Sequence, residues 1–432
     1  MRIKQTIFLV LSVLLALGIG VIGFLFGPEV GKYSNSEVIA STETTVLNSA
    51  PSSFITTVFA PAENYKNFFT NIQPVIIPDG SVKSVIIPHH LVAGEYIASI
   101  FQGVKKIQPR VVVVIGPNHY QVGDALVATS LSSWDTGFGT LNADRQIIQS
   151  LLDSNLVGLD DNALVNEYSV GAVVPFVKNT WPQARVVPLV VKNIKNDEMF
   201  DGLAAKLYEV LPENSLVVVS VDFSHYLPKE ISAFHDDLSL NVLETGDIIR
   251  VRKMEIDSQN SIRVLLRYNQ IAGAKKFTVA YHTNSVDLLS TNSTSENTSH
   301  IMGYFSQKEN DVRPTVTLQL FGDMMLERSV EANFGDRGLD YVFEKIKGQD
   351  NRFFFGADLF VANLEGPFAP FRIDTSKSIA FRFDPKLAAQ LKSYNFSAFS
   401  LANNHALDMG AKNYDFTKKI LADNGLAYFG HQ

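Results

Sequence analysis

The chain has 432 residues, of which 46% are hydrophobic and 19% are charged, and this balance is typical of a folded globular protein large enough for two domains. The formal net charge is -7 and there is no long basic run, which argues against a nucleic-acid partner. Cysteine is absent, so disulfides, thiolate metal sites and cysteine nucleophiles are excluded, and any metal ion must be held by histidine, carboxylate, amide or water.

The first predicted element is a membrane anchor at residues 1–27. Two basic residues in MRIKQ precede an apolar run from Ile7 to Phe26, which is close to the ~20 residues that cross a bilayer as a helix. Because positive flanks stay in the cytoplasm, we expect a single-pass protein of the cell membrane whose bulk is extracytoplasmic. A cleaved signal peptide is the rival interpretation, and a buried core helix is a third, although only Ser12 interrupts the run.

Residues 28–62 are rich in Ser, Thr, Asn and Ala, and they are predicted to form a flexible stalk. From 63 to 308, continuous apolar β-branched runs alternate with helical stretches, which indicates a parallel α/β domain whose strands are covered on both faces. The predicted strands are Val85–Ile87, Val111–Ile115, Val186–Val191 and Leu216–Val219, and the predicted helices are Ala93–Lys106 and Asp197–Leu211.

A second domain is predicted at 315–432. A polar segment closed by proline, with a linker at 309–314, separates it from the first domain. Its predicted strands are Thr315–Phe321, Ala357–Ala362 and Ser397–Ala402. The stretch Leu289–Ser299, full of Ser, Thr and Asn, is predicted to be a surface loop of the first domain.

Histidines follow three predicted strands of the first domain. SVIIP runs into His89 and His90, VVVVIGPN runs into His119, and SLVVVSVDFS runs into His225, with Asp222 shortly before it. Because ligands bind at the carboxyl ends of parallel strands, we expect these three strand ends to face one crevice. A single histidine there is more often only hydrogen-bonded, but three converging imidazoles suit a divalent transition metal. The sequence therefore predicts a metal site.

A set of motifs covers roughly residues 65–306: PHH at 88–90, IGPNHY at 115–120, the segment Trp134–Gly139, and SVDFSHY at 220–226. Together they resemble the Memo-like family, also called AmmeMemoRadiSam system protein B. The resemblance implies an extradiol-dioxygenase-like α/β/α domain with a site for Fe, Zn or Cu. It also implies that His89 and His119 are metal ligands and that His225, with Asp222 beside it, is a general acid/base or a further site residue.

The sequence departs from the family pattern at two places. The E-H-S-x-E signature stands here as EYSVG from Glu167 to Gly171, without its histidine and its second carboxylate. Ser258 stands where many members carry a cysteine ligand, and a serine hydroxyl binds metals far more weakly than a thiolate. Either Asp257 or another carboxylate then completes a harder site, or the domain is a binding scaffold.

Polar side chains also follow the strands of the second domain. LFGDMM places Asp323 after one strand, VANLEGPF places Asn363 and Glu365 after the next, and LANNHALDMG places Asn404 and His405 after a third. Carboxylate, amide and imidazole groups suit Mn, Mg, Zn or Fe in two-metal hydrolytic sites. Taken singly, the Gly-Asp and Asn-Leu-Glu-Gly pieces are also compatible with plain turns.

In order along the chain, GDMMLER, ADLFVANLEGP, FRFDP and SLANNHALDMG resemble the CapA-type family of capsule or poly-gamma-glutamate synthesis proteins, within the calcineurin-like metallophosphatase superfamily. The resemblance implies a metal-dependent hydrolase or transferase that acts on a cell-envelope polymer. Its metal-site residues would be Asp323, Glu365, Asn404 and His405, with Glu365 bridging two ions. Met325 stands where related phosphatases carry a ligand histidine. Such domains are longer, so this one is expected to be truncated at its C-terminal end.

Two other hypotheses stay open at this point. A non-catalytic envelope scaffold with vestigial metal sites would use the same crevices to bind a partner without turnover. The dioxygenase-like fold also allows a non-haem metal oxidoreductase activity in the first domain, although a fold does not fix a function.

Overall fold

The computed structural model describes residues 54–56, 59–70, 72–77, 82–291, 297–308 and 311–430. The predicted membrane anchor at 1–27 and most of the predicted stalk lie outside these residues. Among the helices described, none combines the length and the apolar character needed to cross a bilayer.

We call the part built on a nine-stranded sheet the first domain. Its strands, with those of a small sheet beside it, are β1 (Phe54–Thr56), β2 (Val82–Ile87), β3 (Val111–Pro117), β4 (Val127–Thr129), β5 (Ser133–Asp135), β6 (Thr140–Leu141), β7 (Gly158–Leu159), β8 (Arg185–Val191), β9 (Ser215–Ser220), β10 (His225–Leu227), β11 (Lys276–Asn284) and β12 (Asn297–Ser306). The strand order is β10-β12-β2-β9-β3-β8-β4-β7, and β11 pairs with β12. Strands β2, β9, β3 and β8 are parallel neighbours at its centre.

Helices cover both faces of this sheet. They are α1 (Ala62–Phe68), α2 (Gly94–Gly103), α3 (Arg145–Asp153), α4 (Asn162–Val165), α5 (Tyr168–Gly171), α6 (Val174–Thr180), α7 (Asp197–Val210), α8 (Lys229–Thr245), α9 (Gln259–Ala272) and α10 (Ser285–Leu289), with short 3-10 turns at Leu91–Ala93, Lys105–Ile107 and Arg250–Lys253. Alternate residues of β3 enter two different cores, with Val111 and Val113 on one face and Val112 and Val114 on the other. The first domain is therefore an α/β/α sandwich.

The predicted strands and helices of the first domain are confirmed. The strands carry continuous β-branched runs because helices cover both faces of the sheet. Two expectations need correction. The end of the predicted stalk is folded, since β1 pairs in parallel with β5 and Ile55 is buried. The end of the predicted loop Leu289–Ser299 is also ordered, because residues 297–299 belong to β12 and are buried between β10 and β11.

We call the part built on a four-stranded parallel sheet the second domain. Its strands β13 (Leu318–Met324), β14 (Leu359–Leu364), β15 (Ala398–Ser400) and β16 (Ala427–Phe429) pair in that order. Its helices are α11 (Ser329–Phe334), α12 (Leu339–Phe343), α13 (Leu387–Ser393) and α14 (Gly410–Asp423), with 3-10 turns at Gly335–Arg337 and Gln349–Phe354. Phenylalanines dominate its core, and Phe354, Phe360 and Phe396 are fully buried or nearly so.

The first strand of the second domain begins three residues later than predicted, at Leu318 instead of Thr315. Thr317 explains the shift, because its N–H and its hydroxyl both donate to Asp358 Oδ2 at 2.9 and 3.0 Å. These side-chain bonds tie Thr317 to the residue directly before β14, and regular strand pairing begins at Leu318.

A histidine pair, with one ring buried and the other half-buried, joins β12 to the segment after β2. His90 Nδ1 lies 3.2 Å from Nε2 of His300, and His300 is fully buried. Burial lowers the pKa of His300 from 6.5 to about 4, although the charge of Asp222 opposes the change. His300 is therefore neutral in the folded chain at pH 7, whereas in the unfolded chain it takes up a proton as the pH falls below 6.5.

We predict that acid unfolding depends on His300. A folded-state pKa below the unfolded value stabilises the fold above pH 6.5, and this contribution is lost as the pH falls toward about 4. The loss amounts to roughly 3 kcal/mol of unfolding free energy. Urea unfolding between pH 7 and 4 should show a shallower decline for His300→Gln than for the wild type.

His282→Gln serves as the control, because His282 should change the pH dependence of stability in the opposite direction. Its hydrogen bond to Asp236 raises the pKa of His282, so its contribution is present below pH 6.5 and is lost as the pH rises. An unchanged slope below pH 6.5 in His300→Gln would contradict the assignment.

Candidate functional site

The first candidate site lies at the carboxyl edge of the central parallel strands. His89 follows β2, His119 follows β3 and Asp222 follows β9, and these three strands are neighbours in the sheet. Asp257 reaches the same place from the segment that precedes α9. The parallel sheet therefore brings together residues that lie far apart in sequence.

His89 lies between two carboxylates. Its Nε2 is 3.2 Å from Asp257 Oδ2 and 3.3 Å from Asp222 Oδ2, and its Nδ1 is 3.1 Å from Ser220 Oγ. Burial by itself lowers the pKa of His89, but the charges of Asp222 and Asp257 outweigh it and raise the pKa to about 9. The carboxylates thus favour a positive charge at this position.

Glu167 orients His119. Its Oε1 accepts a hydrogen bond from His119 Nδ1 at 2.8 Å, and its Oε2 accepts from the His119 backbone N–H at 2.8 Å. A carboxylate that holds Nδ1 fixes the orientation of the ring, as in a metal-ligating histidine, and directs Nε2 toward the cluster. That Nε2 lies 3.9 Å from Asp257 Oδ2. Glu167 also accepts the Ser169 N–H at 2.9 Å, so the start of α5 holds the carboxylate in place.

The residues present fit a divalent ion. The possible ligand atoms of His89, His119 and Asp257 lie within 4.8 Å of one another, and so do those of Asp222, His225 and Asp257. Asp257 Oδ1 is buried and has no hydrogen-bond partner within the part of the chain that the structure describes. A buried carboxylate oxygen without a partner is costly, and a cation beside two imidazoles removes that cost.

The structure places His225 at the border of this cluster. Its backbone N–H donates to Glu255 Oε2 at 3.0 Å, and its ring Nδ1 is buried without a partner among the described residues. Burial lowers the pKa of His225, so the ring is neutral at pH 7. The Asp222 N–H donates to Asp257 Oδ2 at 2.9 Å, which ties the two carboxylate-bearing segments together. The four predicted residues of this site thus surround Asp257.

The two departures from the family pattern have clear local causes. Ser258 caps α9, because its hydroxyl oxygen accepts the Ser261 N–H at 3.3 Å. Tyr168 stacks on His119 with ring centroids 4.2 Å apart, and a side chain at Gly171 would collide with the ring of Phe59. Asp257 is thus the residue of this segment that faces the cluster, and aromatic rings line its other side.

The second candidate site lies at the ends of β13, β14 and β15. Asn363 Nδ2 donates to Asp323 Oδ1 at 2.7 Å and to Glu365 Oε2 at 2.6 Å. His405 Nε2 lies 3.9 Å from Glu365 Oε1, while its Nδ1 donates to Asp408 Oδ2 at 2.7 Å. The structure therefore brings three predicted residues, Asp323, Glu365 and His405, to one edge of the sheet.

Asn404 lies differently from the expectation. Its side chain is exposed, and its main-chain oxygen accepts a hydrogen bond from Lys377 Nζ at 2.6 Å. The neighbouring Asn403 instead turns its amide into the cluster and donates to Asn363 Oδ1 at 3.0 Å. Two adjacent asparagines give no sequence signal that separates them, because the direction of each side chain depends on the turn after β15.

Sequence reasoning missed Glu255, although it is fully buried and lies two residues before Asp257. Burial raises its pKa, but the ring of His235, whose Nδ1 lies 3.8 Å from Oε2, and the charge of Arg352 outweigh this and lower the pKa to about 2. Glu255 is therefore ionised at neutral pH. Its partners lie at distant positions of the chain, so no local pattern could reveal it.

Comparisons with known proteins identify the family of each domain. The family described as "Memo-like protein" matches residues 62–302, and the family described as "Bacterial capsule synthesis protein PGA_cap" matches residues 317–432. A MEMO1 family protein of Caldivirga maquilingensis is 28% identical over 219 residues, which cover 48% of this chain and 77% of that protein. One from Saccharolobus islandicus is 27% identical over 197 residues, covering 42% and 69% of the two chains.

One solved structure, an uncharacterized protein from Escherichia coli K12, is 13% identical, with a TM-score of 0.36 over 51% of this chain and 99% of that one. This value is too low to add to the description of the fold. The two family matches show that the chain belongs to the Memo-like family through residues 62–302 and carries a capsule synthesis PGA_cap domain at 317–432.

Proposed function

We propose that the protein is a metal-dependent enzyme of the cell envelope, in which a metal-binding Memo-like domain is joined to a hydrolase or transferase domain that acts on a capsule-type polymer. The observation that supports it best is the cluster of His89, His119 and Asp257, with a buried carboxylate oxygen that lacks a partner. Two imidazoles and a carboxylate suit Fe, Zn or Cu.

The residues around this cluster have distinct roles in the proposal. His89 and His119 hold the ion with Asp257, and Glu167 keeps His119 in the tautomer that binds. A divalent ion in such a site supplies Lewis acidity and lowers the pKa of water. The neutral ring of His225 has an unpartnered Nδ1 among the described residues. It can accept a proton from a group bound beside Asp222 and later return it.

The envelope setting is proposed on two grounds. The match to a bacterial capsule synthesis family points to a cell-envelope polymer, of the poly-gamma-glutamate type, as the substrate of the second domain. The apolar run from Ile7 to Phe26 after two basic residues supports a single membrane-spanning anchor with both domains outside the cell membrane. In this proposal Asp323, Glu365 and His405 bind Mn, Mg, Zn or Fe.

A scaffold function is the second candidate for the second domain, and one observation favours it. Asp323 and Glu365 are joined by the amide of Asn363, so one oxygen of each carboxylate already accepts a hydrogen bond. Among the described residues, no three His, Asp or Glu side chains of this domain bring their ligand atoms within 4.8 Å of one another. The domain would then bind polymer without turnover.

We predict that the full-length protein, purified without chelators, carries one equivalent of a transition metal at the first site. Replacing His89 and His119 together with Ala should remove it, because both imidazole ligands are lost. Glu167→Gln should weaken binding by ~10–100-fold, since it disturbs only the residue that orients His119. Elemental analysis and competition with a chromogenic chelator measure both effects.

His282→Ala is the matched control, because His282 also pairs with a carboxylate, Asp236, at 2.7 Å but lies outside the cluster. It should keep the full metal content. A metal-free wild type, or a double variant that retains the ion, would end the proposal for the first domain.

We predict a separate Mn²⁺ site in the second domain if that domain is an enzyme. Titration of the His89→Ala/His119→Ala protein with Mn²⁺ should still show binding, and Asp323→Asn with His405→Ala should abolish it. The physical reason is that the two substitutions remove a carboxylate and an imidazole ligand, and leave Glu365 as the remaining charged ligand of the proposed site. Electron paramagnetic resonance of free Mn²⁺ measures the bound fraction, and the absence of binding at millimolar Mn²⁺ would favour the scaffold.

A further inference from the structure

A segment of the second domain is seated against the first-domain site. It runs from Gly348 to Gly356 and contains the short turn Gln349–Phe354. A Cβ atom at Gly348 would lie 2.9 Å from Leu227 Cδ2, and one at Gly356 would collide with the ring of His235. Both glycines have positive φ, of 66° and 71°. The backbone can approach β10 and α8 this closely only because both positions lack a side chain.

Arg352, in the middle of this segment, reaches the buried Glu255. Its Nη1 donates to Glu255 Oε1 at 2.5 Å, and the Glu255 side chain is only 2% exposed. The other oxygen, Oε2, accepts the His225 backbone N–H at 3.0 Å. One carboxylate therefore links a cation of the second domain to the main chain of a candidate site residue.

Residues of both domains also line one cavity of about 360 Å³. Glu255, Asp257 and Asn193 come from the first domain, while Arg352 and Phe355 come from the second. Arg352 Nε is buried and has no partner among the described residues, so this guanidinium keeps a donor available beside the cavity. Asp257 is the carboxylate shared by both groups of possible metal ligands, so the cavity borders the candidate metal site directly.

We propose that the second domain completes the first-domain site within the same chain, with Arg352 as a positioning residue. Arg352 holds Glu255, and Glu255 holds the backbone at His225. If Arg352 is removed, a buried carboxylate loses its only guanidinium partner among the described residues and must move toward water or toward another donor. His225, whose backbone N–H donates to Glu255, and Asp257, two residues further along the chain, then shift. This inference rests on the metal site proposed for the first domain.

A matched control exists at the same contact between the domains. Arg250 of the first domain forms a two-bond ion pair with Asp358 of the second, at 2.8 and 2.7 Å, and both side chains are largely buried. Neither residue lines the cavity around Asp257. Arg250→Ala therefore weakens the contact between the domains and leaves the Glu255 carboxylate with its partners.

The test uses the full-length chain loaded with Co²⁺, in an Asp323→Asn/His405→Ala background that removes two ligands of the proposed second-domain site. We expect Arg352→Gln to change the visible d–d spectrum of bound Co²⁺ and to weaken Co²⁺ binding by ~10-fold or more. Arg352→Lys, which keeps the charge, should restore part of the spectrum, and Arg250→Ala should leave it unchanged. A wild-type spectrum and affinity in Arg352→Gln would overturn the inference, as would the same change in Arg250→Ala.

A second measurement separates this inference from the proposed metal function. In the metal-free chain, the backbone amide resonance of His225 should shift in Arg352→Gln but not in Arg250→Ala, because this amide donates to Glu255. If the wild type takes up no Co²⁺ and the resonance still shifts, the metal function fails while the positioning role of Arg352 stands. If Co²⁺ binds and neither spectrum nor resonance responds, only the positioning role fails.

Discussion

A carboxylate that is withdrawn from water needs a proton or a cation nearby, and the first domain is organised around this requirement. Glu167, Asp222, Glu255 and Asp257 all lie at the carboxyl edge of one sheet, with side chains that are at most 6% exposed. Histidines compensate three of them, and a guanidinium from the other domain contributes to the fourth. Asp257 Oδ1 is the oxygen of this group that remains without a partner in the described structure.

The two candidate sites use the same architecture with different exposure. In the first, the His89 and Asp257 side chains are 1% and 5% exposed, so electrostatic interactions act through protein and little water. In the second, Asp323 is exposed and the cluster is held by asparagine amides. A buried site with an unpartnered carboxylate oxygen favours a cation, whereas an exposed site held by amides must be opened before an ion can enter.

Much of the first site could be predicted from the sequence because two simple signals coincide there. Uninterrupted β-branched runs identify the central parallel strands, and histidines directly after these runs identify the residues that their ends carry. Asp257 could be named only as one option, since it follows no strand of that kind. The position of a residue on an irregular segment depends on tertiary contacts that no local pattern encodes.

The failures of prediction have the same cause. Asn403 and Asn404 differ only in the direction that a turn gives them, and residues 297–299 look like a polar loop although pairing on both sides makes them a buried strand. Arg352 lies 97 residues from Glu255 along the chain, so their ion pair is visible only in three dimensions. Side-chain chemistry indicates which residues can act, but the packing of separate segments decides which ones meet.

The bare backbone at Gly348 and Gly356 limits how this architecture can be rearranged. Each half resembles a separate family, yet a methyl group at Gly356 would collide with the ring of His235, and one at Gly348 would require Leu227 to move. A transplanted partner would dock against His235 only if it also lacked a side chain at the position of Gly356. The pair should therefore evolve as one unit, with changes in either half restricted by the shape of its companion.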